Sequence, residues 1–429
     1  MPESGGHLTA HRSDPVAQCL GLSPAGPGDV AALCVSDGYA SVNVQGWFIE
    51  GQTSNVKWRF STSGNRIAIF MSNATSDQPA THEEPWLEVT SSRNFSNWLA
   101  LENISLAFST YQAGKVFLLG RKQDGQISVF ERTLQRCMGL CSTDNGFWLS
   151  STYQVWRFEN ALLPGQMHND HDKLYIPRVG YTTGDLDVHD IVVEDSGRVV
   201  FVNTMFGCLA TFSHQHSFTP LWKPSFLSKI TPEDRCHLNG LALEDGKCKY
   251  VTVVSKSDVV DGWRNRRHDG GCVLEVPSGE TIVSGLSMPH SPRVYRGELY
   301  VQNSGTGYFG KVDRKKGVFE PITFCPGYLR GMAFSGNCAI VGLSGPRKDK
   351  TFSGLQLDAE LLQRDAEAWC GLQVIELSSG NVIEWVRLNG MVTELYDVAI
   401  LKDVIRPMVL GFKTTEIAQL VSMDEGQAL

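Results

Sequence analysis

No run of about 18 uninterrupted apolar residues occurs in this chain, so the signature of a membrane-spanning helix is missing. A positive excess is missing too. Lys and Arg number 38 against 46 Asp and Glu, a net charge of −8, which speaks against the broad basic footprint of a nucleic-acid binder. The opening MPESGGHLTAHRSDP lacks the positive-then-apolar order of a secretory signal, so a soluble, cytoplasmic protein with no membrane partner is expected. Eleven cysteines is an odd number, and Cys137/Cys141 and Cys236/Cys248 are not followed by a second pair at zinc-ribbon spacing. Free, mostly buried thiols are expected in place of a disulfide framework.

What is present is short β-type runs rich in Val, Ile, Phe, Tyr and Trp, separated by turn residues, with 42 Gly and 18 Pro spread along the chain. At 429 residues the chain exceeds one ordinary core, which leaves two domains or a ring of repeated sheets. Self-similarity favours the ring. CMGLCSTDNGFWLSSTYQVWRF, VHDIVVEDSGRVVFVNTMFGCLATF, LNGLALEDGKCKYVTVV, PHSPRVYRGELYVQNSGTGYFGKVD, LRGMAFSGNCAIVGLSG and YDVAILKDVIRPMVLGF each open with an apolar strand, break at a turn and resume as a second strand.

The openings fall at Met138, His189, Asn239, His290, Arg330 and Tyr396, a spacing that suits four-stranded blades. The last unit has two strands, whereas the strands near residues 104–134 lack an opening. The expected fold is therefore all-β, a six-bladed β-propeller closed by N- and C-terminal strands in one composite blade. Seven blades are possible if the N-terminal strands supply one. The expected organisation is a disordered leader (1–28), an N-terminal β appendage with a linker at Asp77 to Glu84 (29–85), the propeller (86–415) and a tail (416–429). Leu357 to Trp369, LDAELLQRDAEAW, interrupts the blade of the sixth opening as a short amphipathic helix with Leu357, Leu361 and Leu362 on its apolar side, a cover over one face or a lid.

In a propeller the first strand of each blade faces the channel, so the opening residues should meet around the axis. Two residues earlier, on the same strand face by simple alternation, stand Arg136, Asp187, His237, Met288, Tyr328 and Glu394. His189, His237 and His290 come from consecutive blades, and three neutral imidazoles suit a divalent metal of zinc, iron or copper type with one open position. Histidines hydrogen-bonded to Asp187, Asp190 or Glu394 are the alternative. Arg330 and Arg136 suit a carboxylate or phosphate, and Arg330, Tyr396 and Glu394 are the candidate catalytic groups. Asp and Arg in such a ring also serve as strand-locking pairs. The loop Ser255 to Gly271 gathers Trp263, Arg264, Arg266, Arg267 and His268, a basic cluster beside an indole or a solvated loop. With Asn239 and Asn303, Trp263 and Arg264 complete the candidate substrate-binding set. The strand ends STYQ, at Ser109 to Gln112 and Ser151 to Gln154, with Asn203, Asn303 and Ser304, are candidates for the rim.

The segments GWR, LSMPHSPR and NSGTG, within a match over about residues 86–413, resemble an uncharacterised, mainly bacterial family of propeller-like proteins, and that resemblance implies fold more than activity. HLNGLALEDG is similar to the turn of gluconolactonase and strictosidine-synthase-like propellers, which place their sites at the channel mouth, often with calcium. Those sites are rich in carboxylates and amides, and the histidine-rich set here departs from them, which puts calcium in doubt. MPHSPRVYRGELYV resembles the metal-bearing repeat of the peptide-amidating lyase propeller, and the resemblance implies zinc at His290 alone. Two functions follow as expectations: a metal-assisted lyase or hydrolase acting on a small anionic or peptide substrate, or a non-catalytic propeller that binds a metabolite or partner protein.

Overall fold

The computed structural model describes residues 31–36, 39–44, 47–52, 56–63, 66–73, 86–345, 354–412 and 415–423. The expected leader, and the linker at Asp77 to Glu84, lie outside the described residues.

Six sheets form the ring. Blade 1 runs from the channel outward as Val398–Lys402, Ile104–Thr110, Lys115–Arg121 and Ile127–Thr133, so its innermost strand comes from the C-terminal end of the chain. Blade 2 comprises Leu140–Thr143, Gly146–Ser150, Gln154–Asn160 and Lys173–Thr182, with Pro407–Val409 added in parallel at its edge. Blades 3, 4, 5 and 6 begin with Val188–Val193, Leu238–Glu244, Pro289–Tyr295 and Tyr328–Ser335. Each inner strand touches the next, and Val398–Lys402 touches both Tyr328–Ser335 and Leu140–Thr143, which closes the circle at six. The N-terminal strands do not form a seventh blade. Val56–Ser63, Arg66–Asn73 and Leu87–Ser91 extend the outer edge of blade 6, and Ala31–Ser36, Tyr39–Val44 and Trp47–Gln52 make a separate three-stranded sheet.

Turn chemistry fixes the hairpins locally. Asp245 and Gly246 (φ 51° and 68°) and Arg296 and Gly297 (φ 51° and 78°) occupy the left-handed region at both central positions, the type I′ geometry that matches strand twist. Packing then joins blade to blade. Each sheet buries apolar side chains on both faces, and a separate core fills each junction: Leu106, Phe108 and Phe117 meet Ile340, Leu372 and Val386 between blades 6 and 1, while Tyr300 and Phe309 meet Leu329, Val341 and Leu343 between blades 5 and 6. Full burial of each such side chain stabilises the fold by about 1.5–3 kcal/mol. At Gly331 (φ 77°) an added Cβ would lie 2.6 Å from the Val398 nitrogen, so blades 6 and 1 approach there as only glycine permits.

Two details depart from the sequence expectations. Arg136, Asp187, His237 and Met288 are not strand residues in phase with the openings: φ is 51°, 53°, 49° and 48°, so a left-handed residue kinks the chain directly before the inner strands of blades 3, 4 and 5, and ahead of Leu140–Thr143 in blade 2. The helix spans Gln356–Gln363 and lies within the blade opened by Arg330, between its second and third strands. Leu357 is buried against Trp263, Met288 and Tyr328, and Leu361 packs beside them, but Leu362 is 84% exposed. The helix is a packed wall behind the mouth.

Candidate functional site at the channel mouth

The end of the ring where the inner strands begin holds a cavity of about 430 Å³, lined among others by Tyr111, Asp187, His189, Asp234, His237, Trp263, Arg264, Arg330 and Tyr396. Blades 1, 3 and 6 thus bring their opening side chains Tyr396, His189 and Arg330 together, and Asp187, His237 and Met288 join them from the column two residues earlier. His290, Glu394, Arg136, Asn239 and Asn303 are not among the lining residues.

His189 is wired from beneath. Its Nδ1 lies 2.8 Å from the Asp187 carbonyl oxygen and 2.9 Å from Thr204 Oγ1, whose hydroxyl donates to the Leu238 carbonyl at 2.6 Å. A carbonyl only accepts, so the proton sits on Nδ1 and Nε2 carries the lone pair. Burial, reinforced by His237 and Arg330 against the pull of Asp187, pushes the ring down to about 4, so it is neutral at neutral pH. His290 repeats the pattern two blades further on: Nδ1 is 2.7 Å from the Met288 carbonyl and 3.1 Å from Ser304 Oγ, which donates to the Leu329 carbonyl at 2.7 Å. Its Nε2 is buried without a hydrogen-bond partner.

His237 differs. Its Nδ1 lies 2.9 Å from Asp234 Oδ2, which also accepts the Trp263 indole N–H at 2.8 Å, and the two rings stack at 4.2 Å. Burial raises the Asp234 carboxyl, but the charge and hydrogen bond of His237 and the indole N–H outweigh it and hold the group below its ordinary range. Trp263, expected to bind substrate, is 2% exposed and acts mainly as the back wall that fixes this pair. His189 stands edge-on to both His237 (4.9 Å) and Tyr396 (5.4 Å), and the Arg330 guanidinium lies 4.7 Å from the Tyr396 ring centroid. Arg264 lies over Trp263 and pairs with Asp261 at 3.1 Å.

The remaining expected residues hold the ring together or lie deeper. Arg136 pairs with Asp185 and lies 3.8 Å from Asp187, and Asn303 Oδ1 accepts the Ser287 N–H at 2.7 Å. Asn239 and Glu394 are buried. Of the proposed rim, Tyr111 does line the mouth, whereas Ser109 and Ser304 donate to the opening of the next blade. The Asp234 contribution was not anticipated; the signal was a carboxylate three residues before His237. Nor does Asp190 serve a histidine. It takes Arg293 at 2.8 Å. His189, His237 and His290 each spend Nδ1 on a protein acceptor, which leaves only Nε2 for any metal, and among the described residues no group of three or more His, Cys, Asp and Glu side chains is arranged to hold an ion. Of the three expected histidines, His189 and His237 line the cavity and His290 does not.

Residues 93–410 match the model of a family described as a domain of unknown function, DUF4915. No curated protein matches the chain. Similar solved structures include a chain of a nidogen/laminin complex (11% identity, TM-score 0.45, covering 69% of this chain and 98% of that one). Virginiamycin B lyase from Staphylococcus aureus (11%, 0.33, 83% and 93%) and a gluconolactonase-like protein (11%, 0.41, 63% and 90%) are others.

Proposed function

From a chain that belongs to the DUF4915 family, we propose an enzyme of lyase or hydrolase type whose active site is the channel mouth and whose substrate is a small anionic or peptide molecule. One observation carries the reading: a half-buried carboxylate fixes His237 through Nδ1, beside a cavity that also holds Arg330 and Tyr396. An Asp-bound imidazole presents Nε2 as a base, and the carboxylate stabilises the imidazolium once the proton has moved. Arg330 anchors an anionic group of the substrate and offsets charge that develops as a bond breaks. Tyr396, under that guanidinium, supplies the proton the leaving group takes up. His189, neutral, accepts a hydrogen bond from the substrate through Nε2.

No step is routed through a metal. The zinc, iron or copper expected from the sequence is tested directly by elemental analysis of the purified protein. The principal test is turnover of a panel of carboxylate-bearing esters, lactones and peptides, followed by proton NMR. His237→Ala should lower kcat by about 10²–10⁴-fold, and Arg330→Met should chiefly raise KM. Stoichiometric metal lost in His237→Ala, or saturable ligand binding without turnover, would replace this reading with the metal-assisted or the non-catalytic one.

A further inference from the structure

We propose that a second cavity, at the end of blade 1 away from the mouth, binds a phosphate-class oxyanion, either free phosphate or a small phosphomonoester. The cavity measures about 300 Å³ and is lined by Arg121, Lys122 and Arg406, by Asp170 and Asp172, and by residues of the helix Phe95–Glu102. Tyr111, at the mouth, follows Ile104–Thr110, and the antiparallel strand Lys115–Arg121 then runs seven residues to this cavity. At about 3.3 Å per residue the two sites stand roughly 20 Å apart.

The cations here are under-compensated. Asp172 is spent on the backbone, accepting the Ile405 and Arg406 N–H groups at 2.8 and 2.6 Å. Asp170 is 81% exposed and 3.9 Å from Arg406, which donates through Nε to Ser128 Oγ at 3.2 Å. Among the described residues, neither the Arg121 guanidinium nor the Lys122 ammonium has a hydrogen-bond or ion-pair partner, and Arg121 Nε is buried. Burial holds Lys122 below its ordinary value, with Arg406 adding repulsion against the pull of Asp124. Three cationic side chains lining one cavity, two of them without partners, suit the oxygens of a tetrahedral anion. Ser96 and Asn97, in the first turn of the helix, bring its positive end to the same space.

The test uses the full chain carrying Arg330→Met, which removes the mouth's own anion anchor and so keeps the two sites separable. Calorimetric titration with inorganic phosphate and with glycerol phosphate, at matched ionic strength, should give saturable binding. Tighter binding of the ester would identify a metabolite as the ligand, and equal or tighter binding of phosphate the free anion. Adding Lys122→Met or Arg121→Met should weaken binding at least tenfold, with circular dichroism confirming the fold and Lys122→Gln as a second variant. Equal affinity with and without Lys122 and Arg121, or an equal response to sodium chloride, would overturn the proposal.

Discussion

His189 and His290 show how little a histidine's residue type says about its task. Both are buried, both donate Nδ1–H to the carbonyl two residues back, and both lean on a hydroxyl from the end of the following strand. Only His189 reaches the cavity. Its depressed ring also makes a stability prediction with a definite sign. Between about pH 4 and the unfolded value near 6.5 the unfolded chain binds a proton that the folded one refuses, so stability rises with pH across that window, by up to about 3 kcal/mol for this group. His189→Asn should flatten that part of the profile, read as urea midpoints over the same range. An unchanged slope would assign the dependence to other groups, His290 first, since its ring is also held low by burial. His189, Arg330 and Tyr396 of the opening column line the cavity, and they were legible in the sequence because the repeat marks the approach to each inner strand. Of the column two residues earlier, Asp187, His237 and Met288 also line the cavity, but a left-handed kink brings them there and not the simple alternation the sequence suggested.

Between elements, the ring is tied by a recurring hydroxyl. Ser109, Ser150, Thr204, Ser304 and Ser344, each at or just after the end of a second strand, donate to the carbonyls of Met138, Val188, Leu238, Leu329 and Leu395 at the start of the next blade. Below the mouth a stronger tie crosses the axis. Arg293 of blade 5 meets Asp190 of blade 3 at 2.8 Å and Asp397 of blade 1 at 3.6 Å, and these carboxylates also accept the Leu241 and Leu140 N–H groups of blades 4 and 2. Burial and the nearby Asp190 hold Asp397 above the usual carboxylate range, while the two aspartates outweigh burial and keep Arg293 charged. Removing the guanidinium strands two buried acids, so Arg293→Met should cost about 3–5 kcal/mol, against about 1 kcal/mol for Ser344→Ala. Denaturant unfolding measures both, and equal losses would mean that Arg293 is not a lock. The possibility of an Asp–Arg lock was open from the sequence; its members were not, since residues 190, 293 and 397 are remote along the chain.

Across the whole molecule, stability depends on the C-terminal strand reaching the first blade. Ala399, Leu401, Val404 and Met408 fill the core between blades 1 and 2, where they meet Leu118, Phe130, Phe147 and Phe158. A chain ending at Asp397 loses those side chains and exposes the edge of Ile104–Thr110. It should lose cooperative thermal unfolding and expose apolar surface, measured by calorimetry and dye binding. A cooperative melt within a few degrees of the intact chain would show that closure is dispensable.

By itself the sequence determined the all-β ring and its composite closure, because strand alternation and turn chemistry act over a few residues and repeat, while it left six and seven blades both open. Only the tertiary structure decided which polar groups share a cavity. Placement around the axis depends on backbone kinks and on which side chains are spent tying one blade to the next, as the pairing of His237 with Asp234 and the withdrawal of His290 and Asn303 from the lining make plain.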